Sequence, residues 1–400
     1  MNTTTTTNAL PTPRPTTRPW DVIVLGLGAM GSATALQLAR RGCRVLGFDR
    51  FSPPHTHGST HGESRIIREA YFENPLYVPL VQRAYELWAE LERESGARLF
   101  LQTGGLMIGP PDSEIVKGAR HSAELHRLQH EILGAAAVRR RFPALQPPDD
   151  WLAVWESRAG VLFPERCVEA QLRGATSRGA DLHCNEPVER WERDGAGVRV
   201  WTARGEYSAG ALVITAGAWL GQLVAGLRLP LRVERQVLFW FDALTNAADF
   251  RPERCPIHVW EYEPGRHFYG LPDVGTGAKL AVHHEGPTVS PDAVDRTLGE
   301  TETLKMQSLI RRYLPGLNPA VKSFAVCLYT DTPDQHFLID RHPEFPQVWL
   351  GSPCSGHGFK FASAVGEVLA DLALIGRSRL DLDLFRLGRW CGTGAPAAPP

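Results

Sequence analysis

From Trp20 onward the chain alternates short apolar runs with polar, glycine-marked breaks. Asp21-Val22-Ile23-Val24-Leu25 is β-branched and apolar without alternation, the pattern of a parallel strand buried on both faces. Gly26-Leu27-Gly28-Ala29-Met30-Gly31 follows at once, and Ser32 to Arg41, rich in Ala and Leu, predicts a helix that Gly42 ends. Cys43 to Phe48 predicts the next strand, closed by Asp49. Farther on, Ala211 to Trp219 reads as a strand ending in Thr-x-Gly, and Val188 to Val200 as two strands around the hairpin signal Asp194-Gly195. Gly356-His357-Gly358-Phe359-Lys360 precedes an amphipathic helix from Phe361 to about Ile375. Arg235–Phe241, Pro256–Tyr262, His267–Leu271, Lys279–His283 and Phe324–Tyr329 are strand-like and suggest a mostly antiparallel sheet. The expected fold is α/β (α+β overall). A Rossmann-like nucleotide domain is assembled from 20–99, 157–228 and 331–390, and a substrate domain from 100–156 and 229–330. Residues 1–19 and 391–400 are expected to be disordered tails.

The order strand, G-x-G-x-x-G, helix, strand, acid is specific. The first glycine permits a tight turn, the second lets a pyrophosphate approach the backbone, and the third lets helix and strand pack closely. The helix N-terminus offers unpaired N–H groups to the phosphates, and Asp49 is placed to accept from a ribose 2′-OH. NAD and FAD both use this fingerprint, so the choice between them rests on residues elsewhere.

Composition narrows the partners. The 400 residues carry a formal charge of −1, which gives no field for nucleic acid or an acidic membrane. No stretch approaches the roughly 18 apolar residues of a membrane span. The seven cysteines, scattered and never in C-x-x-C spacing, fit a reducing compartment; a cytoplasmic protein is expected.

Basic charge is supplied overwhelmingly by Arg, which leaves the few lysines conspicuous. Lys360 follows a glycine-rich turn, where a cation and backbone N–H groups together suit an anion. In Lys279-Leu280-Ala281-Val282-His283, period-two alternation puts Lys279, Ala281 and His283 on one face. That is either a polar patch in a pocket or an exposed edge-strand lysine. His55, His57 and His61 share a polar loop, but nothing completes a recognisable ligand spacing, and no metal is expected. Arg65 and Arg68 share a face if their segment is helical, and read on that pattern alone as a solvated basic face. Cys327, within Val326-Cys327-Leu328-Tyr329-Thr330, reads on pattern alone as a buried small residue.

Taken in order, these pieces resemble the monomeric sarcosine oxidase and N-methyltryptophan oxidase family, within the D-amino-acid-oxidase-like flavoproteins. The likeness runs from about Trp20 to Trp390. It is carried by His57-Gly58-Ser59 through Arg68, Tyr77-Val78-Pro79-Leu80, Lys279 to His283, Cys327-Leu328-Tyr329-Thr330, His336-Phe337-Leu338-Ile339-Asp340 and Ser355-Gly356-His357-Gly358-Phe359-Lys360-Phe361-Ala362-Ser363. Asp383-Leu384 to Arg386-Leu387 is similar to the end of the N-methyltryptophan enzymes.

The resemblance implies FAD, bound covalently through the sulfur of Cys327. It implies dioxygen activation at Lys279, a carboxylate clamp of Arg68 and Lys360, and an amine pocket lined by His283, Tyr269 and Tyr329. Ser64 and Arg65 would lie close to the flavin with His61 nearby. Cofactor contacts are expected at Gly26, Gly28, Ala29, Met30, Gly31, Asp49, Arg50, Ser59, Ser64, Arg65, Val188, Cys327, Gly356, Gly358 and Lys360. The implied activity is oxidation of a secondary (N-methyl or N-alkyl) amino acid to imine and aldehyde, with amine product and hydrogen peroxide, by a monomer. An oxidase of a cyclic imino acid or tailored amine, and an FAD amine dehydrogenase using another acceptor, are the alternatives. The chain departs from the family at Ser59-Thr60-His61, at Glu69, at Tyr71-Phe72-Glu73-Asn74-Pro75 and at Ser352-Pro353-Cys354. His357 matches the sarcosine-type pattern.

Overall fold

The computed structural model describes residues 20–352 and 355–390; both tails expected to be disordered lie outside the described residues. Trp20–Leu25 is hydrogen-bonded in parallel to Gly205–Ile214 on one side and to Val45–Phe48 on the other. Val22 to Leu25 are accordingly buried on both faces, which is why the run shows no alternation. Asp181–His183 extends this sheet beyond Val45–Phe48, and Val348–Ser352 joins Gly205–Ile214 in parallel. Leu338–Arg341 and the hairpin Val188–Asp194/Gly197–Thr202 add antiparallel pieces. The strand expected over Ala211 to Trp219 stops at Ile214; Gly217, at φ +53°, opens a short 3₁₀ turn over Gly217–Trp219 instead.

The first helix spans Ala29–Arg40, three residues earlier than the apolar pattern predicts, so Gly31 lies in its first turn. A Cβ on Gly31 would sit 1.6 Å from the carbonyl oxygen of Gly26. Gly31→Ala therefore cannot be accommodated without moving the turn. It is expected to cost about 1–3 kcal/mol of stability, read as a lowered midpoint of thermal unfolding; an unchanged midpoint would contradict this packing. The same helix crosses Ala362–Ile375 closely, because a Cβ on Gly366 would lie 2.5 Å from Ala33.

A second eight-stranded sheet runs Ser323–Asp331, Arg232–Phe241, Ala278–His283, Arg266–Leu271, Ile257–Glu263, Gly105–Gly109, Leu152–Glu156, Glu131–Gly134. All pairs are antiparallel except Ile257–Glu263 with Gly105–Gly109. Period two sorts its side chains. Val237, Phe239, Phe241, Phe268 and Leu280 pack with Met306, Ile310 and Tyr313 of the helix Glu300–Tyr313. Leu238, Trp240, Ala281 and Cys327 cluster on the opposite face, with Tyr269 against them. Lys279 belongs to that second face. Its strand is interior, flanked by Arg232–Phe241 and Arg266–Leu271, so the edge-strand alternative is ruled out.

A small third sheet joins Arg65–Ile67, Gly160–Leu162 and Phe100–Gln102. The segment carrying Arg65 and Arg68 is thus extended, not helical, and the two arginines do not share a helix face. Among the described residues, no helix is long and apolar enough to cross a membrane.

Candidate active site

Between the parallel sheet and the uncovered face of the antiparallel sheet runs a cleft of about 460 Å³. At one end it is lined by Gly26, Gly28, Ala29, Met30, Asp49 and Arg50, with Val188 nearby. Asp49 closes its strand with both oxygens oriented by main-chain donors: Leu27 N at 2.8 Å and Phe51 N at 2.8 Å. Burial raises its pKa, and those two amides partly offset the shift. Arg50 is held at the rim by Asp292 at 2.9 Å, which Trp219 and Gln222 also hydrogen-bond. Gly26, at φ +89°, makes the tight turn, and Thr215 braces it with an Oγ1 donation of 2.8 Å to its carbonyl. A Cβ on Gly28 would meet only Thr60 Oγ1 at 3.9 Å, and one on Gly217 nothing within 4 Å. This backbone is open to the cleft, as a pyrophosphate requires.

The middle of the cleft is walled by Ser59, Arg65 and Cys327. Arg65 donates to Ser59 O at 2.7 Å and Ser64 O at 2.8 Å, and its Nη2 lies 3.6 Å from Cys327 Sγ. Cys327 Sγ is itself 3.5 Å from Ser59 O. Behind this wall Lys279, 1% exposed, donates to Gly62 O at 2.8 Å and Ser64 O at 2.7 Å. Burial and then the Arg65 charge hold its pKa well below the usual ammonium range. Gly31, His61, Ser64 and Lys279 do not line the cleft. Gly31 packs helix against strand, whereas the other three form its backing. His61 is buried, and burial followed by the charges of Arg65 and Lys279 lowers its pKa to about 3, so it is a neutral ring.

The far end collects the remaining candidates. Arg68 Nη2 lies 2.7 Å from both Glu73 oxygens, and its Nη1 donates to Ala70 O at 3.0 Å. Its guanidinium stacks over Tyr71 and Phe72. Burial raises the Glu73 carboxyl, but the charges of Arg68, His357 and Lys360 prevail and bring it to about 2. Lys360 donates to His357 O at 2.7 Å and Tyr71 Oη at 3.3 Å; burial, then Arg68, lowers its pKa to about 7. His283 Nδ1 is 3.1 Å from Tyr329 Oη, and burial and then His284 keep that imidazole neutral. Burial also raises the phenols of Tyr269 and Tyr329. Gly356, at φ +75°, permits this wall: a Cβ there would lie 2.6 Å from His283 and 2.7 Å from Tyr329. Gly358 lines the same stretch.

Glu73, Phe72 and Trp219 also line the cleft, and no motif in the sequence assigned them a part. An acid five residues after Arg68 was the available signal for Glu73.

A glycine-marked nucleotide end joined by one cleft to a buried cationic end is what a dinucleotide redox enzyme of an anionic substrate requires. The family profile described as FAD dependent oxidoreductase matches residues 21–372. The chain belongs to this family. FAD-dependent oxidoreductases similar to it include the monomeric sarcosine oxidase of Streptomyces avermitilis, 47% identical over 92% of this chain and 96% of that protein. The N-methyl-L-tryptophan oxidase of Yersinia pestis is 36% identical over 93% of this chain and 99% of that protein. Among solved structures, the unusual amino acid oxidase NikD in its open form superposes with a TM-score of 0.81 at 24% identity, over 92% of this chain and 98% of that one, a likeness of fold. The cofactor is therefore FAD, and the cradle at Gly26, Gly28 and Asp49 suits its dinucleotide half.

Proposed function

We propose that this FAD-dependent oxidoreductase oxidises a secondary amino acid, N-methyl or N-alkyl, and that Cys327 anchors the cofactor covalently. In this reading 20–99, 157–228 and 331–390 form the cofactor-binding body and 100–156 and 229–330 the substrate body of a monomeric cytoplasmic enzyme. The observation that carries the substrate class is the arrangement of Arg68 and Lys360 beside neutral His283 and Tyr329 at the far end of the cleft. The relatives' names support the same class. Bound in the cleft, FAD supplies the two-electron acceptor and the reaction with dioxygen.

The chain's own residues do the rest. Arg68 begins as an ion pair with Glu73, so a substrate carboxylate binds by taking the place of Glu73 on a guanidinium already oriented by Ala70 O. Lys360 supplies the second cation. His283 and Tyr329 carry no charge, so they favour the neutral amine and hold it by hydrogen bonds. The apolar side chains of Leu238, Val259 and Phe72 keep water out. With an N-methyl substrate the products are formaldehyde, the demethylated amine and hydrogen peroxide. A peroxide-release screen over N-methyl amino acids, proline, pipecolate and simple amines tests this reading. Release confined to amines without a carboxylate would refute it, as would purified protein with no absorbance near 450 nm.

The clamp also predicts a pH dependence. Lys360 with a pKa of about 7 is charged below neutrality and loses its proton as pH rises through that value. Acetate, which has no titrating amine of its own, should therefore bind more weakly above pH 7, by up to tenfold per pH unit. The slope should vanish in Lys360→Met. Perturbation of the flavin spectrum by acetate on either side of neutrality reads this out; an unchanged dissociation constant would remove Lys360 from the clamp.

A further inference from the structure

Behind Tyr329, three donors that the chemistry above does not use come together. They stand where Arg232–Phe241 and Ser323–Asp331 run beside the turn that follows Ala278–His283. Glu234 is fully buried and Asp331 is 5% exposed. One donor atom from each of Glu234, His284 and Asp331 lies within 4.8 Å of the other two. The register Glu234↔Tyr329 places Glu234 and Asp331 on one face of the sheet.

The Glu234 carboxylate is satisfied: it accepts from Gln236 Nε2, from Gly286 N at 2.7 Å and from Arg232 Nη2 at 2.5 Å. Asp331 differs. Its oxygens lie near Glu234 and Arg232, but neither makes a hydrogen bond of good geometry, and His284 Nδ1 makes none either. The nearest basic nitrogens to Asp331 are His284 Nδ1 at 3.7 Å and Arg232 Nη2 at 3.8 Å, both too far for a hydrogen bond. A carboxylate buried without partners is costly, and here it faces an imidazole nitrogen that is equally unpartnered.

We propose that Glu234, His284 and Asp331 form a binding site for a divalent transition-metal ion of the zinc class, with solvent completing the coordination. An imidazole with two carboxylates suits such an ion, whereas calcium and magnesium favour all-oxygen shells. The two carboxylates neutralise its charge. Arg232, whose side chain is 53% exposed, is free to turn from Glu234 to solvent. Zinc bonds of about 2.0–2.2 Å give donor separations of about 3.4 Å; His284 Nδ1 and Asp331 Oδ1 are already 3.7 Å apart, and no donor need close by more than about 1.4 Å from the 4.8 Å limit. Without an ion, burial and then the Glu234 charge push the Asp331 carboxyl up. His284 packs against His283, with ring centroids 4.0 Å apart, and against Tyr329 at 5.2 Å. An ion here would lock the wall of the amine pocket without touching the substrate.

The test uses the purified flavoprotein, dialysed against chelator and titrated with zinc chloride. The expected result is one zinc retained per chain by elemental analysis and a raised thermal midpoint. Both should be lost in Asp331→Asn and Glu234→Gln with flavin absorbance retained. If those variants do not fold, His284→Gln carries the same comparison. Substoichiometric zinc in the wild type, or equal zinc in a folded variant, overturns the proposal and leaves a buried carboxyl pair that holds no ion.

Discussion

Lys279→Met is expected to leave anaerobic reduction of the flavin by substrate nearly unchanged while slowing reoxidation by dioxygen about 10²–10³-fold, the scale of removing one preorganised charge from a buried site. The lysine is 1% exposed, and its Nζ is fixed by donations to Gly62 O and Ser64 O. The first electron passed to dioxygen creates a negative charge; that charge favours the protonated form of an amine whose pKa burial and Arg65 otherwise lower, and the amine is already in position to meet it. Methionine has similar length and no ionisable group, so the substitution removes charge, with its approach to the Trp240 ring, more than volume. Stopped-flow measurement of the two half-reactions separates the effects. Reoxidation at the wild-type rate would show that another group activates oxygen, and peroxide formation that tolerates the change would leave Lys279 a structural cation.

The second large effect is all-or-none. Acid-precipitated wild-type protein should give a yellow pellet, and Cys327→Ala a colourless pellet with the flavin in the supernatant. Cys327 Sγ faces the cleft from the antiparallel sheet, 3.5 Å from Ser59 O and 3.6 Å from Arg65 Nη2. Cys167 and Cys255 are buried and do not line the cleft, and among the described residues that do line it Cys327 is the only cysteine. Colour released from wild type would refute the covalent link and leave FAD bound by contacts alone. A yellow Cys327→Ala pellet would move the attachment to another residue.

The division between what pattern shows and what it hides follows from the range of the forces involved. Trp20–Leu25, the glycine turn and the helix after it were legible because each is set by neighbours a few residues away: β-branching, φ freedom and the burial of an apolar face. Asp49 was legible for the same reason, since it closes the second strand of a single unit. Lys279 was legible as a residue on one strand face but not as an interior one, because one of its flanking strands, Arg232–Phe241, lies far earlier in the chain. Arg65 and Arg68 misled as a helical pair, since the extended form of Arg65–Ile67 is imposed by its pairing with Gly160–Leu162. Glu73 passed unassigned because its role exists only once its turn folds back onto Arg68.

The amino-acid sequence alone determined that a dinucleotide fold stands near the start, that a mostly antiparallel sheet follows it, and, through ordered resemblance, which chemistry to expect. Tertiary structure decided the rest. It set which charges neutralise one another, which face of the antiparallel sheet meets the cleft, and that Glu234, His284 and Asp331 converge. Those are consequences of strand order and burial. They depend on long-range pairing and on the loss of water around each charge, and neither is written in the spacing of residues along the chain.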